Sequence, residues 1–429
     1  MAEHYDALIV GRSLAALLTT ALLARRRRRV RLFLPESHAA FLEPWPLALL
    51  GLKASPIVRR VLDELGLLHA VRSRLEPSVP RLGVALPDRR FELPRDLPAR
   101  GVELGRAFPE HRAALLALFD RIEGYGGSLD AIFDGDVPLP PLGFAERRQV
   151  RRVLASVPAG QLSREQPPVP PPLMGFLRAI GGLTGLRAPE VDGLTAAHAR
   201  VVYLWCHGPA PLRGGPDALR RLVEDKAGAA GAVLDARRRA ARLEVDGKTV
   251  RAVVTADGQR LTAETFVVGD DDAVVGRLCP EAAVPPSPPA NVARVPLSRL
   301  GPLPASLPEL LAWQHGADGA TAFVRRDSEV LTVSWPSGPA PDLGSLIGDP
   351  AAPDLGALAT PVAAPVVARG DPLALWRPGP PTWPRNLVRV GADALPGLGL
   401  EGECLTAWHA ARRLGGRWQG SPLWPFGRR

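Results

Sequence analysis

The sequence predicts an α/β fold built around a parallel β-sheet, and three stretches of the 429-residue chain lead to this prediction. Residues 5–36 contain a strand, a helix and a second strand in succession, the pattern of two parallel strands joined by a crossover helix. Residues 240–269 predict an antiparallel meander that ends in a buried strand. Residues 386–411 predict a strand, a glycine-rich loop and a helix.

The first stretch is a complete strand-helix-strand unit. Residues 7–10 form a continuous apolar run, as in strands that are buried on both faces of a sheet. Leucine and alanine recur at helical spacing over residues 13–24, which predicts a buried helix, and residues 30–34 predict a second strand. We therefore expect two parallel strands with a right-handed crossover.

The turn of this unit, residues 11–16 with the sequence GRSLAA, departs from the G-x-G-x-x-G pattern of dinucleotide-binding units. The first glycine is present and permits the tight turn. Ser13 replaces the glycine that lets a pyrophosphate approach the backbone, whereas Ala16 is an accepted substitute. Leu34 stands where an acidic residue would hold the ribose, and the nearest carboxylate is Glu36. Two interpretations stay open: a dinucleotide site, or a unit with a structural role only.

Apolar periodicity and the positions of proline and glycine predict the remaining elements. Helices are predicted after the N-cap pair Ser55-Pro56 and over residues 109–133, 147–154, 173–183, 196–205 and 216–225. Hairpins or strands are predicted over residues 82–93, 232–234, 320–335 and 366–375, with a polyproline-like connection at 166–172.

The chain carries a net charge of +9 and has a calculated pI of about 10.3, yet it contains only three lysines. Positive charge supplied almost wholly by arginine indicates a compositional bias, and we expect no nucleic-acid partner. The arginine run 25–29 has two interpretations: a solvated helix C-terminus, which we favour, or a patch that contacts an anionic membrane or a nucleic acid. No glycine closes the preceding helix, so one of these arginines is expected to carry backbone strain.

Cysteine and histidine spacing argues against a disulfide framework and against a metal site. Cys206, Cys279 and Cys404 are widely spaced and odd in number, which favours a reducing compartment. The eight histidines show no metal-ligand spacing. The apolar helix at residues 14–24 is too short to cross a bilayer, and acidic residues precede it, so we predict a cytoplasmic protein.

Three separated segments together resemble the flavin-dependent amine oxidase and phytoene desaturase-like oxidoreductases. They are the opening strand-helix-strand unit, the block 213–269 with Gly214-Gly215 before a helix, and the closing block 386–411. The closing block resembles the family's strand, glycine, acid and P-G-x-G segment.

The resemblance implies a Rossmann-like FAD-binding domain of discontinuous segments together with an α+β substrate domain. The implied FAD domain comprises residues 1–70, 206–285 and 386–429, and the implied substrate domain comprises 71–205 and 286–385. The FAD contacts that it implies lie at Gly11, Ser13, Leu14, Ala15, Ala16, Glu36, Val233, Gly269, Gly391, Asp393, Gly397, Gly399 and Leu400.

The chain also departs from that family at several positions that the family directs at FAD. Ala392 follows the strand-end glycine where an acid is usual, and Asp393 comes one place later. Leu34 replaces the other usual acid, and the Gly-Gly that often follows is absent between Pro35 and Gly51. Glu36 and Asp393 are the candidates to compensate.

Two hypotheses follow. The first is an FAD-dependent oxidoreductase that takes a hydride from an apolar or amine substrate, with no catalytic residue identified. The Trp205-Cys206-His207 sequence is either part of its pocket or, as is more common for such residues, structural. The second is a degenerate member in which FAD binding is weak or lost and which acts on a protein partner in interaction or assembly.

Overall fold

In a computed structural model of the protein, the strands among the described residues form two seven-stranded β-sheets. The structure describes residues 4–34, 49–77, 80–134, 137–141, 144–158, 195–208, 210–269, 272–280, 290–315, 320–326, 329–336, 339–362, 383–391, 394–395 and 397–415.

The first sheet contains β1 (His4–Gly11), β2 (Val30–Phe33), β5 (Val233–Asp235), β6 (Ala240–Asp246), β7 (Thr249–Thr255), β8 (Arg260–Gly269) and β14 (Leu387–Arg389). The second contains β3 (Leu82–Ala85), β4 (Arg90–Glu92), β9 (Ala290–Pro296), β10 (Leu310–His315), β11 (Ala320–Arg326), β12 (Val330–Pro336) and β13 (Thr360–Val362).

The described helices are α1 (Leu14–Arg25), α2 (Pro56–Glu64), α3 (Leu68–Arg72), α4 (Leu97–Ala107), α5 (Arg112–Ser128), α6 (Asp130–Phe133), α7 (Phe144–Ala155), α8 (Ala196–His207), α9 (Gly215–Ala229), α10 (Asp272–Leu278), α11 (Leu343–Ile347) and α12 (Leu400–Gly415). Short 3₁₀ turns lie at Pro109–His111 and Leu297–Arg299.

The first sheet has a parallel half and an antiparallel half. Strands β5, β2, β1, β8 and β14 are parallel neighbours in that order, and β6 and β7 continue from β8 as a meander. The register between β1 and β8 places Gly11 beside Gly269, so both strands end at the same edge. The predicted α/β class, the strand-helix-strand unit and the meander are therefore confirmed.

Helix α1 is enclosed by other elements, which is why apolar side chains are found around its whole circumference. All residues from Leu14 to Ala24 are buried, and the helix packs against α9 and α12 as well as the sheet. A helix that is hydrophobic around its whole circumference needs such surroundings. None of the described helices is long and apolar enough to cross a membrane.

Most of the other predicted elements are also confirmed. Ser55 caps α2 by accepting a hydrogen bond from the backbone N–H of Val58, with Pro56 as the first helical residue. The hairpins at 82–93 and 320–335 are present as β3–β4 and β11–β12. The predictions for 166–172, 173–183 and 366–375 lie outside the described residues, and the domain boundaries stay a prediction.

Two arginines of the run 25–29 form ion pairs with carboxylates of the protein. Arg26 forms an ion pair with Glu64 at 2.8 Å, and Arg28 pairs with Asp6 at 3.5 Å. Arg27 has a φ of +60°, so the strain expected from the missing glycine falls on this residue. Left-handed backbone brings the side chain of an L-residue too close to the following carbonyl.

We predict that Arg27→Gly stabilises the protein by about 1 kcal/mol, because glycine adopts this φ without strain. Urea unfolding followed by circular dichroism measures the change. Arg25→Gly is the matched control: Arg25 is exposed and is the last residue of α1, where the backbone is helical and glycine should not stabilise. Equal effects of the two substitutions would show that left-handed strain is not the cause.

Candidate functional site

The candidate site lies where the parallel strands of the first sheet end and α1 begins. In open α/β sheets, ligands bind outside the carboxyl ends of the strands, and a helix N-terminus there attracts anions. Here Gly11 ends β1 and Gly269 ends β8, and the first turn of α1 follows at Leu14.

Glycines allow the chain segments at this edge to approach each other closely. A Cβ on Gly11 would lie 2.2 Å from the carbonyl oxygen of Gly269, and Gly11 has a φ of +139°. A Cβ on Gly269 would lie 2.5 Å from Ser13 Oγ, and one on Gly391 would lie 3.2 Å from the same oxygen. The three predicted glycines and Ser13 are thus brought together.

Ser13 closes the turn and caps the helix. Its backbone N–H donates to the carbonyl oxygen of Gly269 at 2.9 Å, and its Oγ accepts from the N–H of Ala16 at 3.1 Å. The residue is only 2% exposed. The hydroxyl therefore satisfies one of the helix N–H groups that an incoming phosphate would use.

Glu403, on α12, satisfies a second N–H group of α1. Its Oε2 accepts a hydrogen bond from the backbone N–H of Ala15 at 2.5 Å, and the residue is 0% exposed. A buried carboxylate therefore occupies the position at the helix N-terminus that suits an anion. Sequence reasoning missed this residue, because an acid in the first turn of a predicted helix suggests only a favourable interaction with that helix's own dipole.

A second acid on α12 forms a buried ion pair. Arg200 on α8 donates from Nε to Glu401 Oε2 at 2.7 Å and from Nη2 to Glu401 Oε1 at 2.6 Å. The same guanidinium donates to the carbonyl of Gly126 and to Asp130. Burial alone lowers the pKa of Arg200, but the two carboxylates outweigh that effect and raise the pKa above its ordinary value.

The other predicted contact residues lie in several places. Gly397 and Gly399 have positive φ values in the loop before α12, and Leu400 is the buried first residue of that helix. Leu14 is buried at the start of α1. Val233 is the first residue of β5, where it pairs with Arg31 and is 39% exposed. Glu36 and Asp393, the two proposed compensating acids, lie outside the described residues.

The Trp205-Cys206-His207 sequence forms the end of α8. Trp205 is buried and donates from Nε1 to the carbonyl of Leu93 at 3.1 Å. Burial raises the pKa of the Cys206 thiol to about 12, so a reactive thiolate is disfavoured. These contacts favour the structural interpretation. In the part of the chain that the structure describes, no cluster of His, Cys, Asp and Glu could hold a metal ion.

The protein is similar in fold to solved structures of several proteins. It aligns with a Rab GDI from Plasmodium falciparum at a TM-score of 0.56 and 11% identity, covering 96% of this chain and 98% of the other. It also aligns with an oxidoreductase from Methanosarcina mazei at a TM-score of 0.55 and 13% identity, covering 95% and 99%. No protein-family model matches the chain, and a search of curated proteins finds no match.

These similarities identify the class of fold. The chain is an α/β protein that shares its overall fold with these two structures. At identities this low, the likeness concerns the fold alone and leaves cofactor and activity to the residues of the site.

The residues at α1 do not fit a dinucleotide pyrophosphate as they are arranged. Ser13 Oγ and Glu403 Oε2 take the N–H groups of Ala16 and Ala15, and the Glu403 carboxylate would face the negative charge of the pyrophosphate. Leu34 offers no carboxylate to a ribose, and its N–H donates to the carbonyl of Asp235. The N–H groups of Ala15 and Ala16 are thus satisfied by side chains of the protein itself.

We predict that Glu401→Gln destabilises the protein by about 3 kcal/mol, because it leaves the buried Arg200 with less compensating charge. The double variant Arg200→Met/Glu401→Met should lose less stability than the sum of the single variants. Urea unfolding measures these values. Asp246→Asn, which breaks the exposed pair with Arg251 at 3.1 Å, should change stability by less than about 0.5 kcal/mol. A purely additive double variant would show that the two side chains are not coupled.

Proposed function

We propose that this protein uses the fold of the flavin oxidoreductases without holding FAD at α1, and that it acts through a binding partner, in interaction or assembly. The observation that carries the proposal is the hydrogen bond from the Ala15 N–H to the fully buried carboxylate of Glu403. The anion at this helix N-terminus belongs to the chain itself.

The energetic argument compares the internal carboxylate with a diphosphate ligand. A negative charge at a helix N-terminus contributes about 0.3–1 kcal/mol when exposed and up to about 2 kcal/mol when partly buried. A pyrophosphate would have to displace Glu403 and then tolerate a buried carboxylate beside its own charges. Each hydrogen bond missing at Ser13 or Leu34 weakens binding by a further 1–3 kcal/mol or so. Together these terms favour the protein without dinucleotide.

A second candidate function rests on the close approach of the chain segments at the three glycines of the strand ends. Gly11, Gly269 and Gly391 still leave no room for side chains at the strand ends, as a bound dinucleotide would require. On this alternative the chain is an FAD-dependent oxidoreductase, similar to desaturases or amine oxidases, that accepts a hydride from an apolar or amine substrate. It requires the Glu403 side chain to leave the N–H of Ala15.

The two candidates are separated by measuring flavin binding. We expect the purified protein to show no flavin absorbance between about 350 and 500 nm, and added FAD to leave its melting temperature unchanged. A bound flavin spectrum, or a melting temperature that rises with FAD concentration, would contradict the proposal and support the oxidoreductase.

A paired substitution tests the cause directly. Ser13→Gly/Glu403→Ala frees the N–H groups of Ala15 and Ala16, so FAD should then raise the melting temperature in a concentration-dependent way. Ser13→Gly/Glu403→Gln is the matched control, since the glutamine oxygen can still accept the Ala15 hydrogen bond while the charge is removed. A response of the control equal to that of the alanine variant would indicate that charge, rather than occupancy of the amide, excludes the ligand.

A further inference from the structure

Helix α7 (Phe144–Ala155) presents an unusual combination of side chains to solvent. One side of the helix is fixed to the protein by Val150 and Leu154, which are buried in the main hydrophobic core. The adjoining, solvent-exposed side carries four arginines and a phenylalanine. These residues, called the α7 face below, are Phe144, Arg147, Arg148, Arg151 and Arg152.

Helical geometry groups the five side chains. At 3.6 residues per turn, their positions fall within an arc of about 140° around the helix axis. Phe144 projects near the middle of that arc and is 81% exposed. Phe144 therefore places an exposed aromatic ring among four cationic side chains.

The charge of the α7 face is not neutralised within the part of the protein that the structure describes. None of the four arginines has an ion pair there, although many other arginines of the chain do. The acid of this helix, Glu146, belongs to the other side and pairs with Arg413 of α12 at 2.7 Å. The four guanidinium groups therefore meet water.

We propose that the α7 face binds a membrane surface rich in anionic lipid. Arginines near such a surface are attracted to the lipid phosphates, and an aromatic side chain gains burial at the boundary between headgroups and acyl chains. The chain's net charge of +9 adds a favourable long-range attraction. The proposal goes beyond the proposed function and does not depend on whether flavin binds.

A lipid surface suits these residues better than a nucleic acid does. Both offer phosphates to the arginines, but the apolar faces of bases are stacked inside a duplex, whereas the lipid boundary can bury Phe144. The sequence alone pointed to the run 25–29 as a possible membrane contact. In the folded protein Arg26 and Arg28 of that run are paired with Glu64 and Asp6, whereas each of the four α7 arginines is exposed and lacks an ion pair among the described residues.

Vesicle binding by the full chain tests the proposal. The protein is sedimented with vesicles of phosphatidylcholine alone and with vesicles of phosphatidylcholine and phosphatidylserine in equal parts. We expect binding to the mixed vesicles only, and weaker binding as salt is raised. Each arginine replaced by glutamine on the α7 face should lower the partition coefficient about fivefold. Phe144→Ser should lower it further.

A control with the same loss of charge distinguishes this face from a general effect of net charge. The control variant replaces four exposed arginines elsewhere with glutamine, namely Arg221, Arg237, Arg239 and Arg242. It should bind the mixed vesicles within about twofold of the unmodified protein, whereas the four-fold α7 variant should lose binding. Equal losses in the two variants would overturn the proposal. So would binding to duplex DNA or to a polyglutamate peptide without binding to the mixed vesicles.

Discussion

The hydrogen bond between the N–H of Ala15 and the carboxylate of Glu403 is the contact around which the candidate site is arranged. It joins α1 to α12, the helices that follow β1 and β14 at one edge of the sheet. A helix end buried at that edge must have its free N–H groups satisfied by side chains, water or a ligand. Here the side chains of Ser13 and Glu403 accept hydrogen bonds from two of those N–H groups, at Ala16 and Ala15.

Much of the fold could be predicted because the signals are local. The apolar run before Gly11, the helical spacing after Ser13 and the Asp-Gly turns each depend on neighbouring residues. The strain in the arginine run was predictable for the same reason, and Arg27 carries it. Ser13 directly precedes the predicted helix, and serine is a preferred N-cap residue, so the hydrogen bond from the Ala16 N–H to its hydroxyl is a contact of this local kind as well.

The partners of the buried acids could not be predicted, because they are far apart in the chain. Ala15 and Glu403 are 388 positions apart, and Arg200 and Glu401 are 201 apart. In sequence, both acids occupy the first turn of a predicted helix, where they would ordinarily be solvated and favour the helix dipole. Only the folded structure shows that Glu403 accepts a hydrogen bond from α1 and that Glu401 accepts hydrogen bonds from α8.

The two acids of α12 contact different parts of the protein, and this difference bears on function. Glu401 accepts two hydrogen bonds from the guanidinium of Arg200, in a fork that fixes its position and joins α12 to α8. Glu403 accepts a hydrogen bond from the N–H of Ala15 at the start of α1, the end of a helix that favours negative charge. An anionic ligand approaching the ends of the parallel strands would therefore meet the Glu403 carboxylate, whereas Glu401 lies in a contact between two helices.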